Sequence, residues 1–128
     1  MKYEEFIQNV AQAEGIGSKE KAEEVAHTAL KVLGSRLQEG EAHDLGSQLP
    51  PELGDAVRTG ASSMQKLSVD EFVGRIGREA GIDDQAEAER YVRAVIGTMS
   101  EAVTRGELTD VFSQLPSEYQ DLFTARSV

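Results

Sequence analysis

The polar side chains with the most distinctive spacing belong to a motif that occurs twice. The pattern Gly-Glu-x-x-Asp-x-x-Ser-Gln-Leu-Pro spans residues 40–50 and returns at residues 106–116, an offset of 66. Carboxylates, hydroxyls and amides at such intervals bind free backbone groups at turns and helix ends, or polar groups of a partner. They define a candidate interaction surface made of Glu41, Asp44, Gln48, Glu107, Asp110 and Gln114.

A structural role for this motif is the simplest interpretation. We expect Gly40 and Gly106 to end two long helices, because glycine adopts the left-handed conformation at little cost. Gln48 and Gln114 could then bond to backbone across the corner that follows. All three prolines of the chain fall at the motif, which marks it as the main interruption of the helical pattern. Corner formation therefore explains these residue types without a ligand.

Residues suited to catalysis or metal binding are sparse. The chain has no cysteine, and its two histidines, His27 and His43, have no histidine four residues away. The position equivalent to His43 in the second motif is Thr109. Carboxylates are plentiful, but the sequence identifies none as a buried acid/base pair. We therefore predict no catalytic residue, no cofactor and no metal site, and expect that the protein is not an enzyme.

The overall charge excludes some partners. The formal net charge is −10, with 7 basic and 11 acidic residues in 1–66 and 6 and 12 in 67–128. An acidic surface repels phosphate backbones, so neither nucleic acid nor an anionic membrane is expected to bind. The first residues lack an apolar run, and no stretch approaches the length of a membrane span. We expect a soluble, cytoplasmic protein.

Apolar periodicity predicts the helices that carry the motif. In the first half the apolar spacing indicates helices over 3–14, 19–39 and 41–48, with a fourth that starts at Pro50 or Pro51. The same plan restarts at Ser68. Ser68 and Asp84 each have a glutamate three residues later, which predicts two capping boxes.

The two halves align without a gap. Residues 3–57 and 69–123 share 15 identities at the constant offset of 66. Such an offset is typical of duplication. We predict an all-α fold with two tandem copies of a four-helix unit (medium, long, short and short helices) packed with pseudo-two-fold symmetry. The first repeat covers 1–60, the linker 61–67 and the second repeat 68–125, and the two repeats share one core, because each alone is marginal in size.

The sequence also resembles a known family. The pattern Asp/Glu-Glu-Phe…Gly-Ile…Ala-Glu followed by Gly-Glu-x-x-Asp-x-x-x-Gln-Leu-Pro, present twice over about residues 1–125, is similar to the bacterial domain-of-unknown-function 2267 family (DUF2267). The resemblance implies a small, all-helical, internally repeated bacterial protein. It implies no activity and no functional residue.

Two functions fit these observations. The first is a protein-interaction or self-association module, with a protein partner or a second copy in a homodimer, suggested by the duplicated polar motif. The alternative is a carrier or sensor of a small apolar ligand bound between the repeats. Met64, Met99 and small residues such as Ala22, Ala26 and Ala29 could leave a gap in a helical core.

Overall fold

The computed structural model describes residues 1–124, except the side chains of Glu14 and Thr124, and this part of the chain is all-helical. The all-α prediction is confirmed. The helices are α1 (Tyr3–Glu14), α2 (Lys19–Gly34), α3 (Glu39–Gln48), α4 (Pro51–Ala61), α5 (Val69–Glu79), α6 (Gln85–Ala102), α7 (Arg105–Ser113) and, after a 3₁₀ turn at Ser117–Tyr119, α8 (Gln120–Thr124). Ala125, the last residue of the predicted second repeat, lies outside the described residues.

Equivalent capping residues start and stop the helices in both halves. Gly15 and Gly81 end α1 and α5 with φ angles of 64° and 73°, in the left-handed region that glycine adopts at little cost. Ser18 and Asp84 cap α2 and α6 by accepting a backbone N–H three residues on. The predicted capping box at Ser68 is confirmed. At Asp84 the side chain accepts the Glu87 N–H, but the return bond from the Glu87 side chain that would complete the second predicted capping box is not formed.

The predicted ends of the two long helices are wrong. Helix α2 ends at Gly34 rather than at residue 39, and α6 ends at Ala102. Gly40 and Gly106 lie in the first turns of α3 and α7, and neither has a positive φ. The apolar spacing continues through the turn after α2 because Leu37 is buried there too. Periodicity alone therefore could not locate the break.

One hydrophobic cluster includes buried side chains from both halves of the chain. Helix α1 packs on α6, and α5 packs on α2, so the first two helices of each half contact those of the other half. Aliphatic residues and alanines fill most of this core, together with Phe6, Phe72 and Tyr119. Each half thus buries apolar surface that it could not bury alone.

Helix α4 approaches its neighbours unusually closely at glycines. A β-carbon on Gly60 would overlap the carbonyl of Lys31 in α2, and one on Gly34 would overlap the carbonyl of Val57 in α4. Gly46 and Gly54 bring α3 and α4 together in the same way. Backbone contact of this kind needs residues without a side chain.

The second half replaces this glycine packing by aromatic packing. Phe112 stands at the position equivalent to Gly46, and its ring centroid lies 4.1 Å from that of Phe123. A phenylalanine ring cannot occupy the space between two helix backbones that touch. After the second motif the chain forms the 3₁₀ turn at Ser117–Tyr119 and then α8, described over Gln120–Thr124.

Residues of both halves form hydrogen bonds with the segment that connects α4 to α5. Gln65 donates its backbone N–H to the Ser35 carbonyl at 2.8 Å, and the Arg36 guanidinium donates to the Gln65 carbonyl at 2.9 Å. From the other half, the buried Tyr119 hydroxyl donates to the Leu67 carbonyl at 2.7 Å. The predicted linker 61–67 begins with Ala61, which is the last residue of α4.

A glycine-to-alanine pair tests the close approach of α4. We expect Gly60→Ala to lower the free energy of unfolding by about 1–3 kcal/mol, because the new methyl group forces two helix backbones apart. Gly40→Ala is the matched control, since no described atom beyond its two chain neighbours and the backbone of its own helix lies within 4 Å of the position that its new β-carbon would take. It should leave stability unchanged or raise it by up to about 1 kcal/mol. Urea unfolding followed by circular dichroism measures both, and equal effects would contradict this close packing.

Candidate functional site

The two glutamines of the repeated motif each bind backbone of the opposite half, where α3 packs against α7. The Thr104 N–H donates to Gln48 Oε1 at 2.7 Å, and the Gln38 N–H donates to Gln114 Oε1 at 2.9 Å. Thr104 and Gln38 are the residues that precede α7 and α3. The glutamines do bond to backbone, as expected, but across the interface between the halves rather than within one corner.

The two motif glutamates also meet at this interface, which we call the α3–α7 junction and define by the six side chains of the candidate interaction surface. Glu107 is buried, with 8% of its surface exposed, and Glu41 is half-buried. The Oε2 atom of each is buried and has no hydrogen-bond donor among the described residues. A single proton between the carboxyl groups would make one of them a donor to the other.

This environment changes the acidity of Glu41. Burial, a hydrogen bond shared with Glu107, and the negative charges of Glu107, Asp110 and Asp44 raise the pKa of Glu41 to about 8. Burial penalises the ionised form, and adjacent carboxylates oppose a further negative charge. Glu41 therefore keeps its proton at neutral pH, unlike an exposed glutamate.

Asp44 and Asp110 occupy the outer edge of the junction. Both are exposed, and both are close enough for their charges to act on Glu41. The Ser47 and Ser113 hydroxyls donate to the Asp44 and Asp110 backbone carbonyls, each at 2.7 Å. The serines therefore bind helix backbone, and the aspartate carboxylates make no hydrogen bond or ion pair with the residues that the structure describes.

Sequence reasoning identified the six side chains but not the pairing of the glutamates. No pattern in the sequence marks Glu41 or Glu107 as buried. The available signal was the constant offset of 66, which gives Glu41 and Glu107 the same position in the two motifs, on helices that pack against each other. Identical residue types at such a position bring like charges together.

A second polar cluster, which the sequence did not indicate, connects α1 with α2. The Tyr3 hydroxyl donates to Glu23 Oε2 at 2.7 Å, and His27 Nε2 lies 2.9 Å from the hydroxyl oxygen of Tyr3. Because that hydroxyl has only one proton, His27 must donate to it through Nε2. Burial and the hydrogen bond to Glu23 raise the pKa of Tyr3 above its usual value. In the second half, Arg93 and Glu89 form an ion pair at 2.9 Å at the equivalent positions.

The other parts of the described structure that could hold a ligand offer fewer converging side chains than the α3–α7 junction. Within residues 1–124, no three His, Asp or Glu side chains are arranged to hold a metal ion. None of the helices described is both long and apolar enough to cross a membrane. A cleft of about 300 Å³ between α2 and α4 is lined by polar residues such as Lys31, Thr59 and Ser63. Most of the residues expected to leave a gap for an apolar ligand, namely Met99, Ala22, Ala26 and Ala29, are fully buried in the common core. Met64 instead lies on the surface, with 58% of its area exposed.

Comparison with protein families agrees with the repeated motif. The model of the family described as uncharacterized conserved protein (DUF2267) matches residues 3–122, which include both copies of the motif. The chain belongs to the DUF2267 family. The resemblance inferred from the sequence is thus confirmed. No curated protein matches the chain.

The carboxyl pair makes the stability of this DUF2267 protein depend on pH. An ordinary glutamate has a pKa of about 4.3, whereas that of Glu41 in the folded protein is about 8. Between these values the folded state holds a proton that the unfolded chain has lost. The free energy of unfolding should therefore fall as the pH rises from about 5 to 8, by up to about 1.4 kcal/mol per pH unit from this group, and then level off.

Glu41→Gln tests this dependence. The amide supplies a permanent donor to Glu107, so the variant should lose the decline that Glu41 causes between pH 5 and 8. Glu101→Gln, which changes an exposed glutamate of α6, is the matched control and should retain it. Urea unfolding at a series of pH values from about 6 to about 9, on either side of the raised pKa, measures the slopes. Equal slopes for the wild type and Glu41→Gln would show that the pair does not hold a proton.

The Tyr3 cluster of the DUF2267 chain predicts a second difference in stability. Tyr3→Phe removes the hydroxyl that joins Glu23 to His27 and should cost about 1–2 kcal/mol, because both partners are half-buried. Tyr91→Phe is the control, since its hydroxyl makes only a 3.4 Å bond to Glu87 within α6. That change should stay within about 0.5 kcal/mol. Thermal unfolding of both variants gives the comparison, and a larger loss for Tyr91→Phe would refute the assignment.

Proposed function

We propose that this DUF2267 protein is a non-enzymatic interaction module that binds a basic segment of a partner protein at the α3–α7 junction. The observation that carries the proposal is the placement of Asp44 and Asp110. Both carboxylates are exposed, and both lie beside the Glu41–Glu107 pair. Lysine or arginine side chains of a partner would complement this concentration of negative charge.

The surface favours a different protein over a second copy of the chain. Two copies that each carry a net charge of −10 repel one another. Among the described residues, the large hydrophobic side chains that are exposed are Met1 and Met64. Stable homodimer interfaces bury a more apolar surface than these two provide. A basic partner gains from the same charge that opposes self-association.

A non-enzymatic role is supported by the burial of the carboxyl oxygens of the Glu41–Glu107 pair that lack a donor. The raised pKa of Glu41 is of the kind that general acids have. However, the Oε2 atoms of Glu41 and Glu107 that lack a donor are both buried, so a substrate could not reach them without movement of α3 or α7. The exposed members of the junction are the two aspartates.

We further infer that the two repeats pack about a pseudo-two-fold axis that passes near the carboxyl pair. Each glutamine bond has its counterpart 66 residues away, and the α1–α6 contact has its counterpart in α5–α2. Glu41 and Glu107 are themselves equivalent positions. On this arrangement the junction presents Asp44 and Asp110 as a matched pair, one from each repeat.

Two pairs of variants with equal charge test the interaction. Asp44→Asn/Asp110→Asn removes the exposed carboxylates of the junction, and Asp83→Asn/Asp121→Asn removes two exposed aspartates elsewhere. Fluorescence anisotropy with a labelled hexa-arginine peptide at low salt measures the affinity of each. We expect the junction variant to bind about tenfold more weakly than the control, since each surface ion pair contributes up to about 1 kcal/mol.

Two results would contradict the proposal. Equal weakening in the two variants would mean that the peptide responds only to net charge. Light scattering that shows a dimer in the wild type and a monomer in the junction variant would identify the junction as a contact between copies instead.

A further inference from the structure

The α3–α7 junction differs from an ordinary acidic surface because its centre holds buried carboxyl oxygens that no described residue donates to. Glu107 is more than nine-tenths buried, and its Oε2 has no donor among the described residues. It faces the Glu41 carboxyl, whose own Oε2 is in the same state. A buried carboxyl group against a half-buried one in this arrangement is stabilised by a positive charge or a proton between them.

The negative charges that act on Glu41 come from the neighbouring helix and from its own helix. Helix α7 presents Glu107 and Asp110, and α3 itself contributes Asp44. Glu41, Asp44 and Gln48 share one stripe of α3, at spacings of three and four residues.

Helix α4 packs on another side of α3. Its cation, Arg58, lies near Gly46 and lines a cleft with Glu39 and His43. These positions lie about half a turn of helix away from the Glu41 stripe. Arg58 also pairs with Asp55 at 3.4 Å. The cation that α4 contributes is therefore directed away from the carboxyl pair and does not substitute for the proton.

A cation placed next to Asp44 and Asp110 would weaken the hold of the pair on its proton. The two aspartates are among the groups whose charge favours protonation of Glu41. An arginine or lysine beside them offsets that charge and favours the ionised carboxyl. Coupling between two ligands is reciprocal, so loss of the proton strengthens the binding of the cation by the same factor.

We propose that the binding of a basic partner segment at Asp44 and Asp110 is coupled to release of the proton held between Glu41 and Glu107. The junction is then a proton-linked interaction site, which binds its partner more tightly at alkaline than at acidic pH. This inference rests on the proposed interaction with a basic segment and adds its regulation. The buried pair need not touch the partner, because the coupling passes through charge alone.

Titration calorimetry with the hexa-arginine peptide tests the coupling. Arginine stays charged throughout the range, so the peptide's side chains release no proton, and acetylation of its amino terminus removes the other titrating group. Measurements at about pH 7.5 in phosphate and in Tris, whose ionisation enthalpies differ, give the number of protons released per peptide. For the wild type we expect the release of a measurable fraction of one proton per peptide bound. The affinity should rise with pH across the raised pKa of Glu41, about tenfold if binding lowers that pKa by about one unit.

Three variants identify the source of the proton. Glu41→Gln should bind the peptide with no coupled release and with an affinity that varies little with pH. His43→Thr, which introduces the residue found at the equivalent position of the second motif, should keep the release of the wild type. Glu101→Gln should also keep it. Release that persists in Glu41→Gln, or disappears in His43→Thr, would overturn the assignment to the carboxyl pair.

Failure of this inference can be distinguished from failure of the proposed function. Binding that depends on Asp44 and Asp110 but neither releases protons nor varies with pH would overturn the coupling and leave the interaction module standing. Binding that is insensitive to Asp44→Asn/Asp110→Asn would overturn both. Coupled release in the wild type and its absence in Glu41→Gln would support both.

Discussion

The exchange of hydrogen bonds between the two halves of the chain organises the rest of the structure. The amide of Gln48 accepts the N–H of Thr104 just before α7, and the amide of Gln114 accepts the N–H of Gln38 just before α3. These N–H groups belong to residues at helix starts, where the helix itself offers no acceptor. Each motif therefore completes the start of a helix in the other half. This arrangement accounts for a glutamine at the same position of both motifs.

The same contact brings two glutamates together, with a consequence for charge. Glu41 and Glu107 would repel each other if both were ionised and buried. The protein accommodates them through a raised pKa at Glu41. Buried polar groups in proteins are usually hydrogen-bonded. A carboxyl pair with undonated buried oxygens is costly for stability alone, and this is why we connect the junction with binding rather than with folding only.

The halves differ in the contacts that surround their shared framework. Gly46 allows α3 to touch α4, whereas Phe112 at the equivalent position packs on Phe123. Likewise His27, with Tyr3 and Glu23, stands where the second half has Arg93 paired with Glu89. The two halves thus place different side chains at equivalent positions around the same helices. The six side chains of the junction, in contrast, are identical in type at equivalent positions of the two motifs.

The sequence by itself determined the helical class, the family, the repeat offset, the glycine caps at Gly15 and Gly81 and the six polar side chains of the junction. These follow from local signals, namely periodicity, capping residues and identity at a constant spacing. The tertiary structure decided where α2 and α6 end, because the buried Leu37 and Val103 continue the apolar stripe beyond the respective helix. It also decided the burial of Glu41 against Glu107 and the bonds of Gln48 and Gln114 to the opposite half. Burial and proton affinity depend on which distant residues face one another, and that is set when the helices pack.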